Sequence, residues 1–275
     1  MTTRIRRLQR SWERFGRVDP LWAIVTWPGK KGNKWDPEEF FQTGEAEITA
    51  ALKHATSLGL TLRWHRALDF GCGVGRLTQT LAEHFDEVTG VDIAPSMLEL
   101  AERYNRHGKK CRYVLNETDN LRAFPDASFD FIYTGNTLQH MEPRFAKSYL
   151  KEFLRVLSPE GVCLFQIPGR LRPSPPAPPH DAGETMKERI KHVTPGAILR
   201  LYRLLRYGRI SRTGPTKMRA DGAVMEMYGI ARGEVVGLVL ESGGEVVDVS
   251  ENQMAGPRWE SYLYCAVKRK VRGEP

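Results

Sequence analysis

Between Arg66 and Pro168 two hydrophobic periods alternate along the chain. ALDF, ending at Phe70, is a short apolar run, and RLTQTLAEHF after it repeats Leu77, Leu81 and Phe85 every four residues, the spacing of one helix face. EVTGVD reads as the next strand, and SMLELAERYNRH places Met97, Ala101 and Tyr104 on one helix face. CRYVLN, FDFIYTG and GVCLFQIP add three strands. Between the last two, PRFAKSYLKEFLRVL begins with proline, as helices often do, and stacks Phe145, Tyr149 and Phe153. Farther on, ARGEVVGLVLESGG reads as a helix ending at glycine and EVVDVS as a strand, while WESYLYCAVK reads as another strand, apolar on both faces. Strand and helix in alternation predict a doubly wound α/β domain, because parallel strands need crossovers and right-handed crossovers cover both sheet faces.

In such a sheet ligands sit beyond the carboxyl ends of the strands, where the strand order reverses. The turn after the first strand carries Gly71, Gly73 and Gly75, which let the backbone bend sharply and approach a ligand, with a helix N-terminus aimed at the same place. Asp92 ends the second strand, where a carboxylate can take both hydroxyls of a ribose. A dinucleotide site usually reads G-x-G-x-x-G and sets a pyrophosphate on the helix. The spacing here is G-x-G-x-G, preceded by Asp69, whose carboxylate, pointing into the loop, would repel a pyrophosphate and suit an ammonium group. S-adenosylmethionine has a cationic amino acid end, a sulfonium and a ribose, and no phosphate, so the charge pattern favours it.

Composition narrows the class. At 275 residues, 41% of them hydrophobic, the chain can bury one large core. No run of eighteen apolar residues appears, and MTTRIRRLQRSWERFGRVDP lacks the pattern of a secretory signal, so a cytoplasmic protein is expected. Cys72, Cys111, Cys163 and Cys265 are scattered singly and read as reduced thiols, with no metal site implied. The net charge of +8 is concentrated in two patches. One is the N-terminal run of Arg4, Arg6, Arg7, Arg10, Arg14 and Arg17; the other lies between Lys187 and Arg219, where ten Lys/Arg face one Glu.

LDFGCGVGRLT resembles the first motif of the class I S-adenosylmethionine-dependent methyltransferases, in particular the bacterial group of small-molecule methyltransferase domains. GVDIAPSMLELA is similar to the segment after it, FPDASFDFIYTGNTLQHM to the region of the fourth strand, and FLRVLSPEGVCLFQIP to the helix, turn and fifth strand that follow. The resemblance covers residues 66 to 168 and, more weakly, 231 to 268. It implies a Rossmann-like, seven-stranded, mostly parallel sheet with an antiparallel C-terminal strand. Ala94 departs from the pattern, in which a serine often caps the next helix, and Ser96 is the residue left to take over that cap.

The resemblance also implies a cofactor site for S-adenosyl-L-methionine. Asp69 and the Gly71, Cys72 and Gly73 backbone, with Gly75 behind them, would meet the methionine end, and Asp92 the ribose. Ile93 and Met97 would face adenine, Met97 being equally readable as helix packing. Asn116, Glu117 and Thr118 would edge the adenine ring, and Thr134 and Gln139 complete the pocket. Methyl transfer from a sulfonium is a direct displacement that depends mainly on alignment and exclusion of water; a base is needed only for an acceptor that must lose a proton. His140 is the best candidate for that base, its alternative role being to orient its loop. His180, His192, Glu226 and Tyr228 rank below it. The fourth strand lacks the Asn/Asp-Pro-Pro-aromatic signature of adenine or amide-nitrogen methyltransferases.

Acceptor choice falls to the parts outside the shared core, residues 61–168. Residues 1–60, with Trp12, Trp22, Trp27, Trp35, Phe40 and Phe41, read as a helical, aromatic lid; 169–230 as a basic, helical inserted cap; and 231–275 as the completion of the sheet. Within the insertion, AILRLYRLLRYGRI carries an apolar stripe and Arg200, Arg203 and Arg206 at three-residue spacing. That face suits an anionic acceptor, contact with an acidic membrane surface, or plain solvation. The acceptor is expected to be a small molecule or a glycan or lipid, methylated on oxygen or nitrogen. Two rival readings stand beside this one: an RNA methyltransferase, suggested by the charge but without a recognisable RNA-binding module, and a non-catalytic cofactor-binding partner protein.

Overall fold

The structure, a computed structural model, describes residues 3–173, 216–220 and 222–269. The arginines at 200, 203 and 206, with His180 and His192, lie outside the described residues.

Three helices precede the sheet: α1 (Thr3–Val18), α2 (Pro20–Ile24) and α3 (Pro37–Ser57). Proline opens α2 and α3 at a position that has no N–H to lose, and Asp36 caps α3 by accepting from the Glu39 N–H at 3.0 Å. Then β1 (Arg66–Phe70), α4 (Arg76–His84), β2 (Glu87–Asp92), α5 (Pro95–Tyr104) and β3 (Cys111–Leu115) alternate, followed by β4 (Phe129–Thr134), α6 (Pro143–Val156) and β5 (Leu157–Leu171).

The C-terminal part adds a hairpin, β6 (Thr216–Ala220) and β7 (Ala223–Met227), then α7 (Arg232–Glu241), β8 (Gly244–Asn252) and β9 (Trp259–Lys268). Seven strands form one sheet in the order β3-β2-β1-β4-β5-β9-β8, parallel except at β9, which runs antiparallel to both β5 and β8. The doubly wound, seven-stranded sheet is therefore the one expected.

Period-two alternation divides the core between the two faces. On one face Leu68, Phe70, Ile132 and Phe165 pack against Phe145, Tyr149 and Phe153 of α6 and Val235 and Val239 of α7. On the other, Ala67, Val88, Phe131 and Leu164 pack against Ile48 and Leu52 of α3 and Leu77 and Leu81 of α4. All four cysteines are buried and free.

The described part of the insertion is the antiparallel hairpin β6–β7, pairing Met218 with Met225, and the helix expected at 197–210 lies outside the described residues. One expectation is corrected. Ser96 does not cap α5; the N-cap residue Ala94 has no side chain to do so, and Glu13 of α1 supplies the acceptor instead. Its Oε2 accepts from the Ser96 N–H at 2.9 Å, and its backbone carbonyl accepts from the Ser96 hydroxyl at 3.2 Å. Among the expected lid aromatics, Trp22, Trp35 and Phe40 are buried in a cluster with Phe15 of α1 and Met97 of α5, so they anchor the N-terminal helices.

Candidate active site

The strand order reverses between β1 and β4, and a cleft opens there beyond their carboxyl ends. It encloses about 1060 Å³ of non-protein space, open solvent at its mouth included. Its floor is the glycine loop. The Gly71 and Cys72 N–H groups donate to the Val91 carbonyl at 2.7 and 3.0 Å, pinning the loop to the end of β2. Gly71 has φ +80°, and a Cβ there would fall 2.2 Å from Thr137 Cγ2 in the loop after β4. Gly73 has φ +53°, and a Cβ would meet Ile24 Cδ1 of α2 at 2.6 Å. Only glycine lets these three segments close around the cleft.

Asp92 forms one wall. Its Oδ2 accepts from the Gly73 N–H and its Oδ1 from the Ala94 N–H, both at 2.9 Å. Burial pushes its pKa up, against the pull of these N–H groups. Each oxygen keeps a second lone pair. Ile93, Met97, Asn116 and Thr118 continue the wall. The Asn116 side chain is already engaged, its Nδ2 donating to Asn120 O and Tyr149 Oη and its Oδ1 accepting from Thr118 Oγ1 at 2.8 Å.

Gly71, Cys72, Gly73, Asp92, Ile93, Met97, Asn116, Thr118 and His140 thus meet at one cleft. Asp69, Gly75, Glu117, Thr134 and Gln139 do not line it. Alternation along β1 turns Asp69 away from the Phe70 side, and its Oδ2 accepts from Thr78 Oγ1 of α4 at 2.6 Å. The expectation that it points into the loop is therefore corrected, and Asp92 is the carboxylate facing the cleft. Burial raises Asp69 to about 7, Thr78 and Arg76 opposing. Gly75 is the left-handed N-cap of α4, Glu117 accepts from Gln9 of α1 at 2.6 Å, and the buried Thr134 hydroxyl has no hydrogen-bond partner among the described residues.

Sequence reasoning missed Arg76, whose position directly after the third glycine was the available signal. Its side chain is buried at the cleft, paired with Glu47 of α3 at 2.7 Å, while Tyr133 donates to the other Glu47 oxygen at 2.9 Å. It also missed Ile5 and Leu8 of α1 and Ile24 of α2, which with Trp12 lie over the cleft. Their signal was weak, since apolar residues in a helix of unknown docking name no partner.

His140 stands at the far side. Nδ1 lies 2.9 Å from the Glu226 carbonyl, which can only accept, so the ring proton sits on Nδ1. Nε2 is left to accept from the Gln139 amide at 3.2 Å. That amide is oriented by Gln166, which donates to Gln139 Oε1 at 3.2 Å and to Ser261 at 2.8 Å. Burial lowers the His140 pKa to about 4, the Glu226 contact opposing, so the imidazole is neutral near pH 7. Trp12 packs edge-on against it, ring centroids 5.3 Å apart.

Residues 68–165 match a family model described as a methyltransferase domain. The chain is 27% identical over 137 residues to the ubiquinone biosynthesis O-methyltransferase of Bordetella avium, a match covering 50% of this chain and 56% of that protein. It spans about half the length of this curated relative. A solved S-adenosylmethionine-dependent methyltransferase from Methanosarcina mazei aligns with a TM-score of 0.53 at 24% identity, covering 76% of this chain and 95% of that one. The magnesium protoporphyrin IX methyltransferase of Synechocystis, solved with bound S-adenosylhomocysteine, aligns with a TM-score of 0.56 at 13% identity over 95% and 98%. At these identities the solved structures speak for the fold.

Proposed function

The chain belongs to the class I S-adenosylmethionine-dependent methyltransferase family, and from that premise we propose that it transfers a methyl group to a small organic acceptor. The observation that carries this reading is the cleft at the β1/β4 switch point, where the Gly71 to Gly73 backbone faces Asp92 and an apolar wall of Ile93 and Met97. These residues fit the cofactor. The glycines admit backbone contact with its amino acid end, the free lone pairs of Asp92 suit two ribose hydroxyls, and the apolar wall suits adenine. Arg76, its charge already paired with Glu47, keeps a buried Nε, without a partner among the described residues, for the cofactor's carboxylate.

When bound, S-adenosylmethionine supplies an electrophilic methyl group on a sulfonium. The chain's own contribution is alignment and dryness. Ile5, Leu8, Trp12 and Ile24 cover the cleft and keep water from the reacting centre. His140 presents a neutral imidazole with its proton held on Nδ1, and Nε2 would take a proton from an acceptor only where the acceptor displaces the Gln139 amide that now donates to it. The ubiquinone biosynthesis O-methyltransferase named above supports a small-molecule acceptor over RNA.

The test is calorimetric titration with S-adenosylhomocysteine and NAD, followed by mass spectrometry of a metabolite extract incubated with methyl-labelled cofactor. Binding of S-adenosylhomocysteine and appearance of a labelled small molecule are expected. NAD binding without S-adenosylhomocysteine binding would end the reading, and cofactor binding with no labelled product from any extract would favour the non-catalytic partner.

A further inference from the structure

A second cavity, of about 1390 Å³ with its open mouth included, adjoins the first. The two share Leu8, Trp12, His140, Met141 and Phe145, so His140 stands in the partition between them. The apolar members make a floor leading to the imidazole. The rim is charged. Arg4 and Arg7 come from α1, Arg144 from the start of α6 and Lys217 from β6.

Among the described residues, two carboxylates line the cavity against these four cations, and each is shared. Glu142 accepts from Arg4 at 2.6 Å and lies 3.3 Å from Arg144. Glu226 accepts from Lys217 at 2.7 Å, from Tyr228 Oη at 2.7 Å and from Arg7 at 3.4 Å. Among the described residues the cavity lining thus carries two more positive than negative charges. Each guanidinium meets its carboxylate through a single nitrogen, and the rest of its fork suits a planar carboxylate or a phosphate. The cations are also reachable: their side chains are between 42% and 63% exposed. The Arg144 guanidinium lies over the Phe145 ring at 4.4 Å, which fixes it at the junction of rim and floor.

We propose that this second cavity is the acceptor site and that it takes an organic anion. A phosphate or carboxylate is held among Arg4, Arg7, Arg144 and Lys217, and an apolar or aromatic body lies along Trp12, Met141 and Phe145 toward His140. The inference rests on the methyltransferase reading, since it takes the first cavity to be the cofactor's. It assigns acceptor recognition to residues of α1 and β6–β7 within the described structure.

The test uses the full chain saturated with S-adenosylhomocysteine and titrated with phenyl phosphate, benzoate and benzyl alcohol. The two anions are expected to bind and the alcohol not to, with the tighter anion naming the head group. The double substitution R144Q/K217Q should weaken anion binding by about tenfold or more, and K217Q alone by a smaller factor, as charge-assisted bonds are lost. Neither variant should change S-adenosylhomocysteine affinity, and both substitutions fall on partly exposed side chains. Equal binding of alcohol and anions, no anion binding by the unmodified chain, or unchanged anion affinity in both variants overturns the proposal. The first step separates the two ideas, because failure of S-adenosylhomocysteine to bind would overturn the cofactor reading instead.

Discussion

Glu13 on the first helix closes the N-terminus of the helix that follows Asp92, accepting from the Ser96 N–H at 2.9 Å. A capping interaction normally made within four residues is here made across 83, so it ties local helix stability to docking of the N-terminal segment.

Glu13→Ala should therefore cost about 1–2 kcal/mol of unfolding free energy, the scale of a lost cap. Partial burial pushes Glu13 up, but the Ser96 and Arg17 contacts outweigh it and hold the carboxyl below its ordinary 4.5. A depressed carboxyl pKa gives stability that is present above the unfolded value and lost as pH falls through the folded one. The difference between variant and parent should thus shrink below about pH 4.5 in urea titrations. A constant difference at all pH values would assign the effect to packing.

Asp69→Asn is expected to act in the opposite sense. Burial raises the folded Asp69 to about 7 from an ordinary 3.8, so the parent is penalised progressively as pH climbs through that window. The amide keeps an acceptor for Thr78 and carries no charge. Relative to the parent, the variant should gain on the order of 2–4 kcal/mol between pH 4 and pH 8. A flat difference between those limits counts against a neutral Asp69.

Gly71→Ala should weaken S-adenosylhomocysteine binding by about tenfold or more, a factor worth about 1.4 kcal/mol. The new methyl would stand 2.2 Å from Thr137 Cγ2 on a backbone at φ +80°. Adding Thr137→Gly removes the steric part and should restore some affinity, the backbone strain remaining. No recovery in the double variant would place the whole defect in the backbone.

Because His140 is neutral down to about pH 4, the acid limb of kcat/KM should fall near that value and not near 6.5. His140→Ala should lower kcat by about 10²–10⁴ with S-adenosylhomocysteine affinity nearly unchanged, the usual scale for a proton acceptor. Near-normal turnover in the variant would leave His140 as the residue that positions the Gln139 and Glu226 segments.

The alternation from Ala67 to Ile167 was legible because each element carries its own period, and the strand ends named the loops that meet at the cleft. Asp69 was misplaced for a reason also written in the sequence: it is one residue from Phe70, and neighbours on a strand face opposite ways. The hairpin β6–β7 had a signal too, an Asp-Gly pair at 221–222 flanked by Met218, Val224 and Met225, overlooked beside the arginines before it. Glu13 had none. A cap supplied from another helix depends on how the two dock, and nothing in the spacing of either records that.

The first helix is fastened at four places: Arg4 to Glu142, Arg7 to Glu226, Gln9 to Glu117 and Glu13 to Ser96. These partners belong to four different segments around the two cavities, so full detachment of the helix requires the loss of all four. A nucleoside seated beneath Ile5, Leu8 and Trp12 would then leave only as fast as the helix detaches. Two of the four fastenings, Arg4–Glu142 and Arg7–Glu226, are ion pairs at partly exposed positions and weaken with ionic strength. Salt would then quicken departure of the product while slowing capture of the next anion, and the fastest turnover would fall at an intermediate salt concentration.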